Sequence, residues 1–162
     1  NGHRVLARAV LYRGDLDRSL EFFATAEGLA PHFADTLADF ADALMHYSRA
    51  DAARGKIDLA LALNPIPPDM YLWVAAGIDF FQENFTGALE KLRRVREPEQ
   101  VYRLMAASAA MLGDDKAART YRDLALRIDP TFEIRTWIQR LPDRNDENLR
   151  FYVAALKRAG FH

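Results

Sequence analysis

The sequence predicts an all-α array of repeated helical hairpins, and three observations carry that prediction. Alanine occurs 27 times among 162 residues, and Leu, Glu and Arg reinforce the helix-favouring composition. Val, Ile and Thr are sparse and never alternate with polar residues over the length of a strand. The third observation is periodicity. Ser19, Ala26, Leu29 and Pro31 return 34 residues later as Ala53, Ala60, Leu63 and Pro65. Ala118, Ala125, Ile128 and Pro130 repeat the same internal spacing.

Each recurring position has a physical task. Small residues seven apart lie nearly in line on one helix face and let a neighbouring helix approach closely. A glycine or small residue at the midpoint ends the first helix of the hairpin, as at Gly14-Asp15 and Gly113-Asp114. The proline closes the second helix, because its ring cannot continue the hydrogen-bond ladder. Four units follow, over about 1–33, 34–67, 68–97 and 98–132. The second replaces the mid-turn glycine by Ser48-Arg49. The third carries Trp73, Ala76, Gly77 and Phe80, then Ala88 and Val95, and ends early at Arg96-Glu97-Pro98.

The tail, 133–162, lies outside the repeat. Phe132 to Leu141 predicts a short helix stopped by Pro142. After the polar stretch Asp143-Arg144-Asn145-Asp146 comes a second helix, with the apolar stripe Leu149, Tyr152, Val153, Leu156 and Ala159. Lys157 and Arg158 suit its last turn, and Gly160 is placed to cap it. A stack of hairpins leaves its last apolar face open, so these helices are expected to cap it with a polar outer side.

Composition excludes several functions. Twenty-two Lys and Arg against 23 Asp and Glu leave a formal charge of −1, which argues against a phosphate-tracking nucleic-acid binder. The absence of cysteine removes disulfides, thiolate zinc sites and cysteine nucleophiles. No apolar run approaches the roughly 18 to 20 residues that span a bilayer. The start, Asn1-Gly2-His3-Arg4, lacks both an initiator methionine and a signal peptide's order, and reads as a cut inside a longer, cytoplasmic protein.

On these residues the chain resembles the tetratricopeptide repeat (TPR) family, whose hairpins carry Trp, Leu-Gly and Tyr on helix A, then Ala, an aromatic, Ala and Pro along helix B. The resemblance implies a right-handed superhelix of about four hairpins whose A helices line a concave groove. The run Tyr71-Leu72-Trp73-Val74-Ala75-Ala76-Gly77 with Phe80-Phe81, and the ending Leu156-Lys157-Arg158-Ala159-Gly160-Phe161, narrow it further. They look like the C-terminal TPR segment of bacterial signalling proteins in which an adenylate-cyclase-type or winged-helix domain precedes the repeats. The Arg-over-Lys bias, 18 to 4, suits a GC-rich bacterial genome. In that alternative the array is a regulatory arm that could self-associate.

Catalysis within the chain is not expected, nor is a metal or cofactor. His3, His32, His46 and His162 do not stand at the spacing of a metal-binding pair. The glycines are scattered, so no loop cradles a phosphate, and Ser19, Ser48 and Ser108 lack a nucleophile's context. Asp35, Asp39 and Asp42 share one face of a helix, where acids near the N-terminus complement the dipole. Arg93, Arg94 and Arg96 end a helix, where cations meet the opposite pole.

The function implied is recognition of a protein or peptide partner, with no nucleic acid and no membrane span. The groove positions implied by the resemblance are Arg4, Arg8 and Tyr12, then Asp35, Asp42 and His46. The third repeat supplies Tyr71, Val74 and either Phe81 or Gln82, depending on where its one-residue irregularity falls. The fourth supplies Gln100, Arg103 and Met111. Aromatics and arginines anchor such interfaces. TPR groups that clamp a C-terminal carboxylate pair Lys with Asn, whereas this chain has Arg4, Arg8, Ala38 and Asp42 at those places, so a chaperone-tail clamp is not expected. Trp73 and Phe80 fit core positions.

Overall fold

The computed structural model describes residues 2–141 and 147–162, and among them every regular element is helical. The predicted stop at Pro142 and the polar stretch 143–146 lie outside the described residues, as does Asn1. Helices α1 (Gly2–Tyr12) and α2 (Leu16–Leu29) form the first hairpin, α3 (Ala34–His46) and α4 (Ala50–Leu63) the second. The third is α5 (Asp69–Phe81) with α6 (Phe85–Leu92), and the fourth is α7 (Tyr102–Met111) with α8 (Asp115–Ile128). A single 3-10 turn, Pro98–Gln100, leads into α7, and the short α9 (Ile134–Ile138) and α10 (Glu147–Arg158) follow. Each helix packs on its hairpin partner, and α2, α4 and α6 each pack on the first helix of the next hairpin. Among the described residues no helix is long and apolar enough to cross a membrane.

The four hairpin turns share one backbone device. Gly14 (φ 83°), Ser48 (φ 53°), Glu83 (φ 60°) and Gly113 (φ 78°) all take the left-handed conformation that closes the first helix. Ser48 and Glu83 hold it without glycine's freedom, which costs a side-chain-bearing residue about 1–2 kcal/mol. The next residue caps the second helix in three of the turns: Asp15 accepts from the Arg18 amide, Asn84 from Gly87 and Asp114 from Ala117. Arg49 makes no such cap, so the second hairpin has the poorest turn chemistry. The early end of the third repeat is held by Asp69, at the start of α5. Its carboxylate accepts from the amides of Arg96 and Glu97 and from Arg96 Nε. The Glu97 amide, and then Arg96, hold that carboxyl below its ordinary pKa.

Two apolar clusters fill the array and meet at α5. The first joins Ala7, Leu11, Phe23, Phe40, Ile57 and Ile78, with Phe23 and Phe40 stacked at 5.5 Å between ring centroids. The second runs from Phe80 and Leu92 through Leu104 and Ala118 to Leu156 and Phe161. Helix α5 is apolar nearly all round and is buried from Tyr71 to Phe80 except at Trp73. Close approach is built in: a Cβ at Gly77 would meet the Met45 sulfur at 2.7 Å. Ala118 and Ala125 sit buried on one face of α8, at the predicted helix contact. Buried Asp79 ties adjacent hairpins together, holding Arg54 of α4 on one oxygen and Lys91 of α6 on the other.

Candidate functional site

The tail helices decide the shape of the inner surface. Helix α10 is laid across the first helices of the hairpins and packs on α7. Its opening turn reaches back to the second hairpin, where the Asn148 side-chain amide donates to the Met45 carbonyl at 3.2 Å. Phe151 and Tyr152 then press on Phe80 of α5, at 5.4 and 5.6 Å between ring centroids. Trp137 of α9 stands edge-on to Tyr152, and Phe161 edge-on to Phe132. At the C-terminal end Gly160 (φ 92°) lies against the Arg122 side chain of α8. The path back over α5 toward α3 is the part that the apolar stripe of α10 did not foretell.

Between this tail and the four hairpins lies a cavity of about 410 Å³. Arg8 and Tyr12 of α1 line it, with Asp42, Met45 and His46 of α3, Trp73, Val74 and Phe81 of α5, and Gln100 and Arg103 beside or on α7. The tail contributes Trp137, Arg140, Leu141, Leu149 and Tyr152. No second helix of a hairpin supplies a lining residue, because those helices face the other side of the layer. Burial raises the Tyr152 pKa, and burial followed by the Asp42 charge raises that of Tyr12, so both hydroxyls stay neutral donors at physiological pH.

Several positions expected in the groove are placed elsewhere. Tyr71 is fully buried, because its side chain turns into the first core cluster and its hydroxyl donates to Asp35 at 2.6 Å. Burial, and then that hydrogen bond, raise its pKa. Arg4 is held by Asp35 at 3.2 Å and by Asp39 at 2.6 Å. Arg4, Asp35 and Tyr71 therefore form a bridge from α1 through α3 to α5 and do not line the cavity. Only Asp35 of the three aligned acids lies in the first turn of α3; Asp39 is 6% exposed and ion-paired, not solvated. Gln82 bonds Arg54 and Asp51 of α4 instead of lining the cavity, and Met111 packs on the second core cluster.

Trp73 corrects the reading in the opposite direction. The repeat pattern fits it to a core position, yet it is 40% exposed and forms cavity wall. Counting back from the left-handed turn residue aligns it with Arg103 of α7. Trp73 stands ten before Glu83, as Arg103 stands ten before Gly113. The same count makes Phe81, not Gln82, the counterpart of Tyr12 and His46.

Charge in the cavity is divided. Near α1 and α3, Arg8 is 3.8 Å from Asp39, and His46 is 3.9 Å from Asp42. At the α7 and α9 end, Arg103 lies over the Phe132 ring at 4.5 Å and the Trp137 ring at 5.7 Å. Among the described residues neither Arg103 nor Arg140 meets a carboxylate. That end is cationic, with rings beneath the charge.

No family profile matches the sequence, and no curated protein does. Solved structures do. A crystal structure of MamA is 16% identical, with 94% of this chain and 91% of that one covered at a TM-score of 0.65. MamA from Desulfovibrio magneticus RS-1, from residue 41 to its end, is 16% identical over 97% and 90%, with a TM-score of 0.68. PilF of Pseudomonas aeruginosa is 16% identical over 99% of this chain and 76% of its own, with a TM-score of 0.72. At such identities the likeness concerns the fold alone. The consecutive hairpins, the shared left-handed turns and these matches over nearly the whole length give this chain the fold of a tetratricopeptide-repeat array.

Proposed function

We infer that the chain is a protein-binding scaffold that seats a segment of its partner on the inner surface of the array. The observation that carries this reading is the cavity, to which the first helix of every hairpin contributes a polar or aromatic side chain. A stack of first helices makes one continuous surface, and rings and arginines are the side chains that anchor protein interfaces. The fold supports the same role, since a hairpin array offers an extended concave face and no fixed chemistry.

A regulatory arm of a cyclase-type or winged-helix protein would use this surface in the same way. The tail residues that suggest such a protein have a packing role of their own, because Leu156, Ala159 and Phe161 are buried in the second cluster. The scaffold reading therefore stands ahead of it.

Capture of a partner from the source organism tests the scaffold. Wild type should retain a partner that an Arg8→Glu, Arg103→Glu double variant loses, while Glu21→Arg on exposed α2 leaves capture unchanged. Equal capture by wild type and the double variant would move the interface off the inner surface.

A further inference from the structure

The scaffold reading leaves the occupant of the cavity unspecified, and the two ends of the cavity differ enough to specify its chemistry. We propose, resting on that reading, that the cavity takes a short partner segment in which an aromatic side chain is flanked by Asp or Glu, with the acid on Arg103 and the ring among Trp73, Phe81 and Trp137.

The argument starts from Arg103. Its guanidinium is fixed over Phe132 and Trp137, and among the described residues no carboxylate meets it. Rings stack on the flat face of a guanidinium and leave its in-plane N–H donors pointing outward, in a fork that matches a carboxylate. Arg140 adds a second cation to the same end. The acids of the cavity do not cancel this charge. Asp39 is already held by Arg4 at 2.6 Å and approached by Arg8, and it belongs with Asp42 to the α3 wall. An acidic group entering at the α7 end therefore gains Arg103 and Arg140 and keeps its distance from the α3 carboxylates.

Size and lining give the rest. At about 410 Å³ the cavity lies at the low end of the range for ligand sites, roughly 300–1,000 Å³. Helix α10 is packed on Phe80 over part of the inner surface, so the remaining cavity suits a few side chains and not a whole docked helix. The lining also holds the rings of Trp73, Phe81, Trp137 and Tyr152, with the thioethers of Met45 and Met70. Rings accept another ring edge-on or offset, and methionine sulfur favours aromatic contact. The tail supplies Trp137, Arg140 and Tyr152, so this recognition site exists only because α9 and α10 fold over the array.

The chain carries its own reporter, because its two tryptophans, Trp73 and Trp137, both line the cavity. The test titrates the intact chain with three short synthetic peptides of equal length, read by intrinsic tryptophan emission and by the anisotropy of a dye on the peptide. One alternates Glu and Phe, the second Lys and Phe, the third Glu and Ala. The Glu–Phe peptide should bind and shift the emission, and the other two should bind at least about tenfold more weakly, a charged hydrogen bond or a buried ring being worth that much. Arg103→Gln should weaken the Glu–Phe peptide by about ten- to a hundredfold, weaken the Glu–Ala peptide in the same direction, and not weaken the Lys–Phe peptide. Arg140→Gln should do the same to a smaller degree, which keeps the test open if the Arg103 variant folds poorly.

Equal or tighter binding of the Lys–Phe peptide would overturn the charge assignment. Binding of the Glu–Phe peptide with unchanged tryptophan emission, or unaffected by both arginine variants, would overturn the location. Failure of all three peptides would overturn the proposal. Each of these results leaves the scaffold reading to partner capture by the double variant, so the two can fail separately.

Discussion

The first and last hairpins share a turn and differ in almost everything that surrounds it. In α1 only Ala7 and Leu11 are buried, and Val5 and Leu6 are 65% and 50% exposed. In α7 every residue from Leu104 to Ala110 is buried. Propensity does not explain the difference, since both helices are rich in Ala, Leu and apolar partners. Neighbours do: α7 is packed by α6, α8 and α10, whereas α1 has α2 and α3 on one side only. Leu6 shows what a missing neighbour does. Its counterpart 34 residues on is Phe40, which is buried against Phe23 of the preceding hairpin. A helix in a repeat array takes its burial from the units beside it, not from its own sequence.

The largest expected consequence contrasts two leucines. Leu156 in α10 is fully buried in the second cluster, so Leu156→Ala should cost about 2–5 kcal/mol through lost transfer and the cavity left behind. Leu6→Ala, at the open edge, should stay within about 0.5 kcal/mol. Denaturant unfolding followed by circular dichroism checks both. Similar costs at the two sites would mean that the first hairpin is covered in solution.

A second contrast adds volume instead of removing it. Ala125, on the packed face of α8, should resist enlargement, and Ala125→Leu should cost about 1–3 kcal/mol by overpacking. Ala9 on α1 is exposed, so Ala9→Leu should shift the unfolding midpoint little, within about 0.5 kcal/mol. An unchanged midpoint for Ala125→Leu would count against the contact face assigned to α8.

The same contrast shows what was legible in the sequence. Alanines and prolines at a fixed spacing are a local signature, and they located four hairpins and the buried pair Ala118 and Ala125. The left-handed turn was legible where glycine marks it and, by spacing, at Ser48, and hidden at Glu83, where a residue other than glycine holds it. The slip of one residue at Glu83 left Phe81 and Gln82 undecided, and register alone does not decide Trp73, since Arg4 stands equally far from its turn and is held outside the cavity. Of the groove positions, Arg8, Tyr12, Asp42, His46 and Phe81 on the turn-proximal half of α1, α3 and α5 line the cavity, whereas in the fourth hairpin Gln100 and Arg103 line it and Met111 does not. Arg4, Asp35 and Tyr71 are drawn into one another, because a carboxylate between a guanidinium and a phenol is a stronger local match than open solvent. The path of α10 was not legible. An apolar stripe states that a face is buried, while the partner of that face depends on Phe80 and Phe151 meeting over a long separation in sequence.

The smallest expected effect asks whether the two ends differ in backbone or only in surroundings. Gly14 and Gly113 have φ of 83° and 78°, and a Cβ added at either would find nothing within 4 Å. Each is followed by an aspartate that caps the next helix, so the local geometry is the same at both ends. A side chain in this conformation costs about 1–2 kcal/mol, and Gly→Ala returns about 0.4–1 kcal/mol by narrowing the unfolded ensemble. Gly14→Ala and Gly113→Ala should therefore each cost between about 0 and 1.6 kcal/mol, and the same amount at both sites. Amide hydrogen exchange on the second helix of each hairpin reads that cost locally, where a midpoint would average it over the array. Matched losses in α2 and α8 would leave tertiary covering as the whole difference between the ends. A clearly larger loss at Gly14 would show that the open hairpin depends on its turn for stability that the covered one draws from α10.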